Sequence, residues 1–239
     1  MAAPLTMPPA AAARPIAARP QSGTEIMRIA HEMAAKHDLE IIGFDTAGVD
    51  EDTVREIAGA VDDLLAKYSI PLRGIEIAES RDGAAPGRSL TGAARQGQPG
   101  PPAPWLVLDR AAITNSDPPP GPARPMAWRR RNRHPYADRP VYVMIVREFG
   151  RALDAAGNFR ARQEAQRVLI AESLRGGGSF EHALLDPGAA LVDGFTEVEL
   201  RRAKAGQLAK MLHGVLVKMA HAVPIDSAKP SSERESMSR

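Results

Sequence analysis

The chain of 239 residues predicts an α+β fold in which a small sheet packs against several helices. Three observations predict it. Apolar residues recur at helical spacing in five segments. Two short segments are apolar, or alternate apolar with other residues, as strands do. Long stretches rich in Gly, Pro and Ala separate these elements and read as loops. Hydrophobic residues at 44% and charged residues at 25% match an ordinary globular protein, and aromatics at only 4% leave the core to Ala, Val, Leu, Ile and Met.

Residues 1–23 hold Pro4, Pro8, Pro9, Pro15 and Pro20 and no acidic residue, and read as a disordered Ala/Pro-rich tail. Residues 24–223 then read as a single domain, with flexible insertions near 84–104 and 115–139 and a disordered tail at 224–239. The first helix, 24–37, takes Thr24 as N-cap and puts Ile26, Ile29, Ala30 and Met33 on one face. Residues 39–44 fit a strand or a helix end. The second helix takes Asp50 as N-cap, carries Glu51 and Asp52 in its first turn, and repeats Val54, Ile57, Ala58, Val61, Leu64 and Leu65. Strands follow at 73–79 and 105–109. A third helix, 138–156, takes Asp138 as N-cap and Pro140 in the first turn, although Val141, Val143, Ile145 and Val146 also suit a strand. A fourth spans 159–175 up to Gly176, Gly177 and Gly178, and a fifth, 196–222, opens with Thr196 and Glu199 in capping-box spacing.

Composition excludes some chemistry. With no cysteine there are no disulfides, thiolate metal sites or cysteine nucleophiles. No apolar run approaches the roughly 20 residues that span a bilayer, so no membrane span is expected. No secretory signal is visible, which leaves a cytoplasmic chain or export by a non-classical route. A net charge of +2 does not by itself imply a polyanionic partner.

The most informative segment is Val146, Arg147, Glu148, Phe149, Gly150, Arg151, Ala152, Leu153 and Asp154. Many zinc peptidases carry His-Glu-x-x-His on a helix, because residues four apart lie one turn apart and two imidazoles converge on one ion. The Glu between them acts as general base toward the metal-bound water. With its flanks, the strand Trp105 to Asp109 before it and the run from Ala155 to Arg162 after it, this segment resembles the core of zincin-like domains of mycobacteria, related actinobacteria and their phages. The resemblance covers about residues 45–219. It implies a small mixed sheet packed against an active-site-type helix, with Glu148 at the general-base position. It also implies a third metal ligand from a later helix, for which Gln207 is the candidate.

The departure from that pattern decides the functional expectation. Arg147 and Arg151 stand where the histidines would be, and a guanidinium is protonated at any physiological pH and has no lone pair to donate. No intact catalytic set, metal or cofactor is therefore expected. Arg147, Glu148 and Arg151 become a candidate ligand site, since two guanidiniums suit a carboxylate or phosphate. The expected function is a catalytically inactive pseudo-metallopeptidase scaffold that binds a protein partner or anionic ligand through its former cleft. The plainer reading makes Glu148 and Arg151 an ordinary helix-surface pair.

Two other functions are weighed against it. Arg129, Arg130, Arg131 and Arg133, with Arg124, Arg139, Trp128 and Tyr136, form a basic arm suited to nucleic acid or another polyanion, or else simply a solvated loop. A hydrolase with an unrecognised site is the third, although no nucleophile elbow and no phosphate loop is present. His31 and His37 are six apart and fall on different helix faces, and His213 and His221 show no acidic partner in sequence. His134 and His182 lack a recognisable partner too.

Overall fold

Three short strands, β1 (Glu40–Ile42), β2 (Gly74–Ala78) and β3 (Trp105–Asp109), form a parallel sheet in the order β1-β2-β3. The computed structural model describes residues 21–46, 48–79, 103–114, 139–175 and 185–221. Register is set by Glu40 opposite Gly74 and by Gly74 opposite Trp105. Gly74 is needed in the central strand, because a Cβ there would sit 2.4 Å from the Glu40 carbonyl oxygen and 2.7 Å from the Trp105 ring. Among the described residues the sheet is parallel throughout, not mixed as the zincin resemblance implies. Parallel neighbours need a crossover connection, which α2 supplies between β1 and β2, and the strand patterns alone did not reveal strand direction.

Among the described residues the helices are α1 (Gln21–His37), α2 (Glu51–Lys67), α3 (Arg110–Thr114), α4 (Pro140–Ala156), α5 (Arg160–Leu174), α6 (Pro187–Arg201) and α7 (Gln207–His221), with a 3-10 turn at Arg202–Lys204. The architecture is thus α+β and mostly helical. α2 forms as its sequence predicts: the Asp50 carboxylate accepts from the Thr53 amide at 2.7 Å, and Val54, Ile57, Val61 and Leu64 are buried. α4 is a helix despite its β-branched residues, since Val141, Ile145, Val146, Phe149 and Leu153 keep one face in the core. It lies at the centre of the molecule, packed against β3, α2, α6 and α7.

Several boundaries differ from the expectation. α1 starts at Gln21, so Thr24 lies inside it and the expected tail at 1–23 overlaps its first turn. α4 is preceded by Arg139, whose side chain makes no capping bond, while Asp138 lies outside the described residues. The largest difference is at the carboxyl end, where the expected 196–222 helix is two helices. α6 begins ten residues earlier in sequence than Thr196 would place it, at Asp186 and Pro187, and the Asp186 side chain accepts from the Ala189 amide at 2.9 Å. Thr196 is buried in mid-helix and its hydroxyl donates to the Val192 carbonyl at 2.7 Å. The break comes at Arg202, a left-handed residue (φ 49°) that sends the chain through the 3-10 turn into α7. Close approach of α6 and α7 depends on Gly194, where a Cβ would lie 2.9 Å from Leu212 Cβ.

Much of the expected insertion at 84–104, the basic arm at 129–133, Gly176 to Gly178, His134, His182 and the 224–239 tail lie outside the described residues. No helix among the described residues is long and apolar enough to cross a membrane.

Candidate functional site

On α4, residues 147, 148 and 151 fall on the side of the helix away from Phe149 and Leu153, which anchor it in the core. Arg147 forms an ion pair through Nη1 with Asp193 Oδ1 of α6 at 2.8 Å. Arg151 pairs through Nη1 with Oε1 of Glu148, three residues earlier on its own helix. The two guanidiniums are 31% and 19% exposed, so each is partly withdrawn from water. Burial pushes the Glu148 carboxyl above the usual carboxylate range, against the opposing pull of Arg151 and, more weakly, Arg147.

The structure therefore brings the three α4 residues together and adds a fourth that sequence reading missed. Asp193 supplies the carboxylate from a later helix that faces Arg147, whereas Gln207 is an exposed residue at the start of α7. The missed signal was the Asp186-Pro187 helix start: a helix begun there places Asp193 in its middle. A guanidinium donates through several N–H groups, and each ion pair engages one Nη, so both arginines have further donors to present. An open hollow of about 630 Å³ lies at the amino-terminal ends of the strands, lined by residues including His37, Glu40, Leu72, Arg73 and Ala103, and not by the α4 residues.

A second polar cluster was not legible in sequence at all. Glu199 of α6 is buried, and its carboxylate accepts from Lys67 Nζ at 2.6 Å and from the Tyr68 hydroxyl at 2.6 Å. The Tyr68 oxygen lies 2.9 Å from Nε2 of His213 on α7. Tyr68 has one proton and gives it to Glu199, so the histidine Nε2 must carry the proton it shares with the tyrosine oxygen. His213 thus does have an acidic neighbour, with Glu199 Oε1 at 3.9 Å, contrary to the sequence expectation. Burial, reinforced by Glu199, raises the Tyr68 phenol well above its usual range. Burial also lowers His213, an effect Glu199 opposes and Lys67 assists.

Aromatic rings enclose this cluster. Phe195 stacks on His213 with centroids 5.4 Å apart and planes 6° from parallel, and Tyr68 lies 6.0 Å from Phe149 of α4. Phe149 on the candidate-site helix therefore abuts the second cluster directly.

The remaining histidines find separate partners. His31 Nδ1 contacts the Met27 carbonyl at 2.7 Å, His37 Nε2 contacts Asp62 at 2.5 Å, and His221 Nδ1 contacts the Val217 carbonyl at 2.8 Å. Among the described residues no group of three or more His, Asp or Glu side chains is placed to hold a metal ion. Of the basic arm only Arg139 is described. It pairs with Glu56 of α2 at 3.0 Å and lies over the Tyr142 ring at 4.5 Å from the centroid.

What these elements define is a mostly helical α+β protein with an arginine–carboxylate cluster on its central helix. No family model, no curated protein and no solved structure matches the chain.

Proposed function

We propose that this chain is a catalytically inactive, zincin-like scaffold that binds an anionic group of a ligand or partner protein at α4. One observation carries the proposal. At the two positions from which imidazoles would grip zinc stand Arg147 and Arg151, and each is turned toward a carboxylate, Asp193 or Glu148. Protonated guanidiniums have no lone pair for a metal and repel a dication. Glu148 is tied to Arg151 and is held toward its neutral form by burial, so it has no metal-activated water on which to act as base.

The same pairing that removes the metal chemistry leaves an anion site in place. Two carboxylates balance two guanidiniums, and the cluster becomes positive when Glu148 takes up its one proton. The remaining N–H donors of Arg147 and Arg151 suit a carboxylate or phosphate oxygen.

Two measurements test the two halves separately. Metal analysis of the purified protein is expected to find no stoichiometric zinc; tightly held zinc at one per chain overturns the inactive assignment. Calorimetry with acetate and with inorganic phosphate at low salt is expected to show heat that disappears in the Arg147→Met, Arg151→Met double variant. Silence with both ions removes the anion site and leaves the first half standing. The paired substitution Arg147→His with Arg151→His is expected to confer zinc binding, with Asp193, which faces position 147, as the candidate oxygen ligand.

A further inference from the structure

A different carboxylate, at the far end of the same helix, has no assigned role. Asp154 sits in the last turn of α4 with its side chain only 3% exposed. Its Oδ2 accepts from Arg162 Nε of α5 at 2.7 Å, but its Oδ1 is fully buried and has no hydrogen-bond partner among the described residues. A buried ionised oxygen without a donor is costly, and a carboxylate near a helix carboxyl terminus also faces the negative end of the macrodipole.

The neighbouring groups increase that cost. Asp186, the N-cap of α6, stands at the same corner: a Cβ built on Gly188 would lie 3.3 Å from Asp186 Oδ1 and 3.2 Å from the Arg162 guanidinium carbon. Arg162 is thus the cation from α5, Asp186 the like charge from the start of α6, and α7 contributes the Met219 carbonyl, which Arg160 holds at 3.2 Å. On α4 itself the nearest preceding cation, Arg151, is engaged by Glu148. Arg162 is also half exposed and lies over the Phe159 ring at 4.4 Å from the centroid, so its countercharge is shared with water and an aromatic face.

We propose that Asp154 is a proton-controlled clasp at the joint of α4, α5 and α6, which is tightest when its carboxyl is neutral and loosens when it ionises beside Asp186. Burial, the largest influence, and Asp186 both favour the protonated carboxyl, while Arg162 opposes them. The direction of the pH effect follows. A carboxyl that holds its proton more tightly folded than unfolded contributes stability at low pH, and that contribution is lost as pH rises through the folded-state titration. The joint carries the link Gly157, Asn158 and Phe159, of which the last two are left-handed (φ 51° and 57°), so a local opening there relieves backbone strain as well.

The test is carbon-detected NMR titration of the Asp154 carboxyl in the full chain, with thermal melting of wild type, Asp154→Asn and Arg162→Gln. Asp154 is expected to titrate clearly above the ordinary aspartate range. Asp154→Asn is expected to raise the melting temperature by about 2–4 °C near pH 7.5 and to leave it unchanged near pH 3, below the unfolded aspartate value of 3.8. Arg162→Gln is expected to move the Asp154 titration further upward. An Asp154 that titrates at or below the ordinary range, or an Asp154→Asn variant that loses stability equally at both pH values, overturns the proposal.

Discussion

The arginine–carboxylate cluster on α4 and the cluster of Lys67, Tyr68, Glu199 and His213 both withdraw a carboxylate from water, but they find its partners in opposite ways. Glu148 is met by Arg151, three residues along its own helix. Glu199 is met by Lys67 and Tyr68, 132 and 131 residues away in sequence, while Tyr68 in turn reaches His213 across 145 residues. The first kind of pairing forms whenever the helix forms. The second exists only once α2, α6 and α7 have docked. A polar cluster of the second kind therefore reports on tertiary packing, and its loss is felt by three helices at once. The first is open to solvent at Arg147 and Asp193.

Substitutions that separate the clusters are expected to differ in size. Glu199→Ala leaves the Tyr68 hydroxyl and the Lys67 ammonium without their acceptor, and should cost about 3 kcal/mol in chemical denaturation. A change below about 1 kcal/mol would mean that the cluster does not bind the helices together. Tyr68→Phe removes only the shared hydroxyl and keeps the ring contacts, with an expected cost of about 1–2 kcal/mol. Arg151→Met leaves Glu148 buried without its pair. It should cost about 1 kcal/mol near neutral pH and less in acid, because protonated Glu148 no longer needs a guanidinium.

Arg147→Met breaks a pair whose two side chains are both partly solvated, and should fall below about 1 kcal/mol. If Arg147 proves costlier than Arg151, the link from α4 to α6 matters more to the fold than the pair within α4. The smallest effect is a slope. His213 binds its proton less tightly folded than unfolded, so its contribution to stability is present above the unfolded value of about 6.5 and fades as pH falls through the lowered folded value. Melting curves of His213→Gln against wild type between about pH 7.5 and pH 5 should show that acid-side loss reduced in the variant.

The same contrast explains what could be read from the chain. α2 was legible because its N-cap, acidic first turn and apolar face all lie within its own residues, and the structure keeps each of them. The triplet Arg147, Glu148 and Arg151 was legible because helical spacing alone brings 148 and 151 together. Asp193 was not, since the pattern at Thr196 and Glu199 imitates a helix start and hid the one at Asp186. In the folded protein that Thr and Glu serve quite different ends, a back-bond within α6 and the acceptor of the second cluster.

By itself, then, the order of residues determined the helices with local caps and stripes, the two longer strands, and the presence of two guanidiniums and a carboxylate within five residues of α4. These depend on intervals of three or four residues, or on side-chain chemistry that no fold can change. Only the tertiary structure decided that the sheet is parallel, that α6 and α7 are separate, that Asp193 faces Arg147, and that Tyr68, Glu199 and His213 share protons. Those outcomes join residues distant in sequence, and their partners are chosen by which apolar faces bury against one another, a competition among all the elements that no local pattern records.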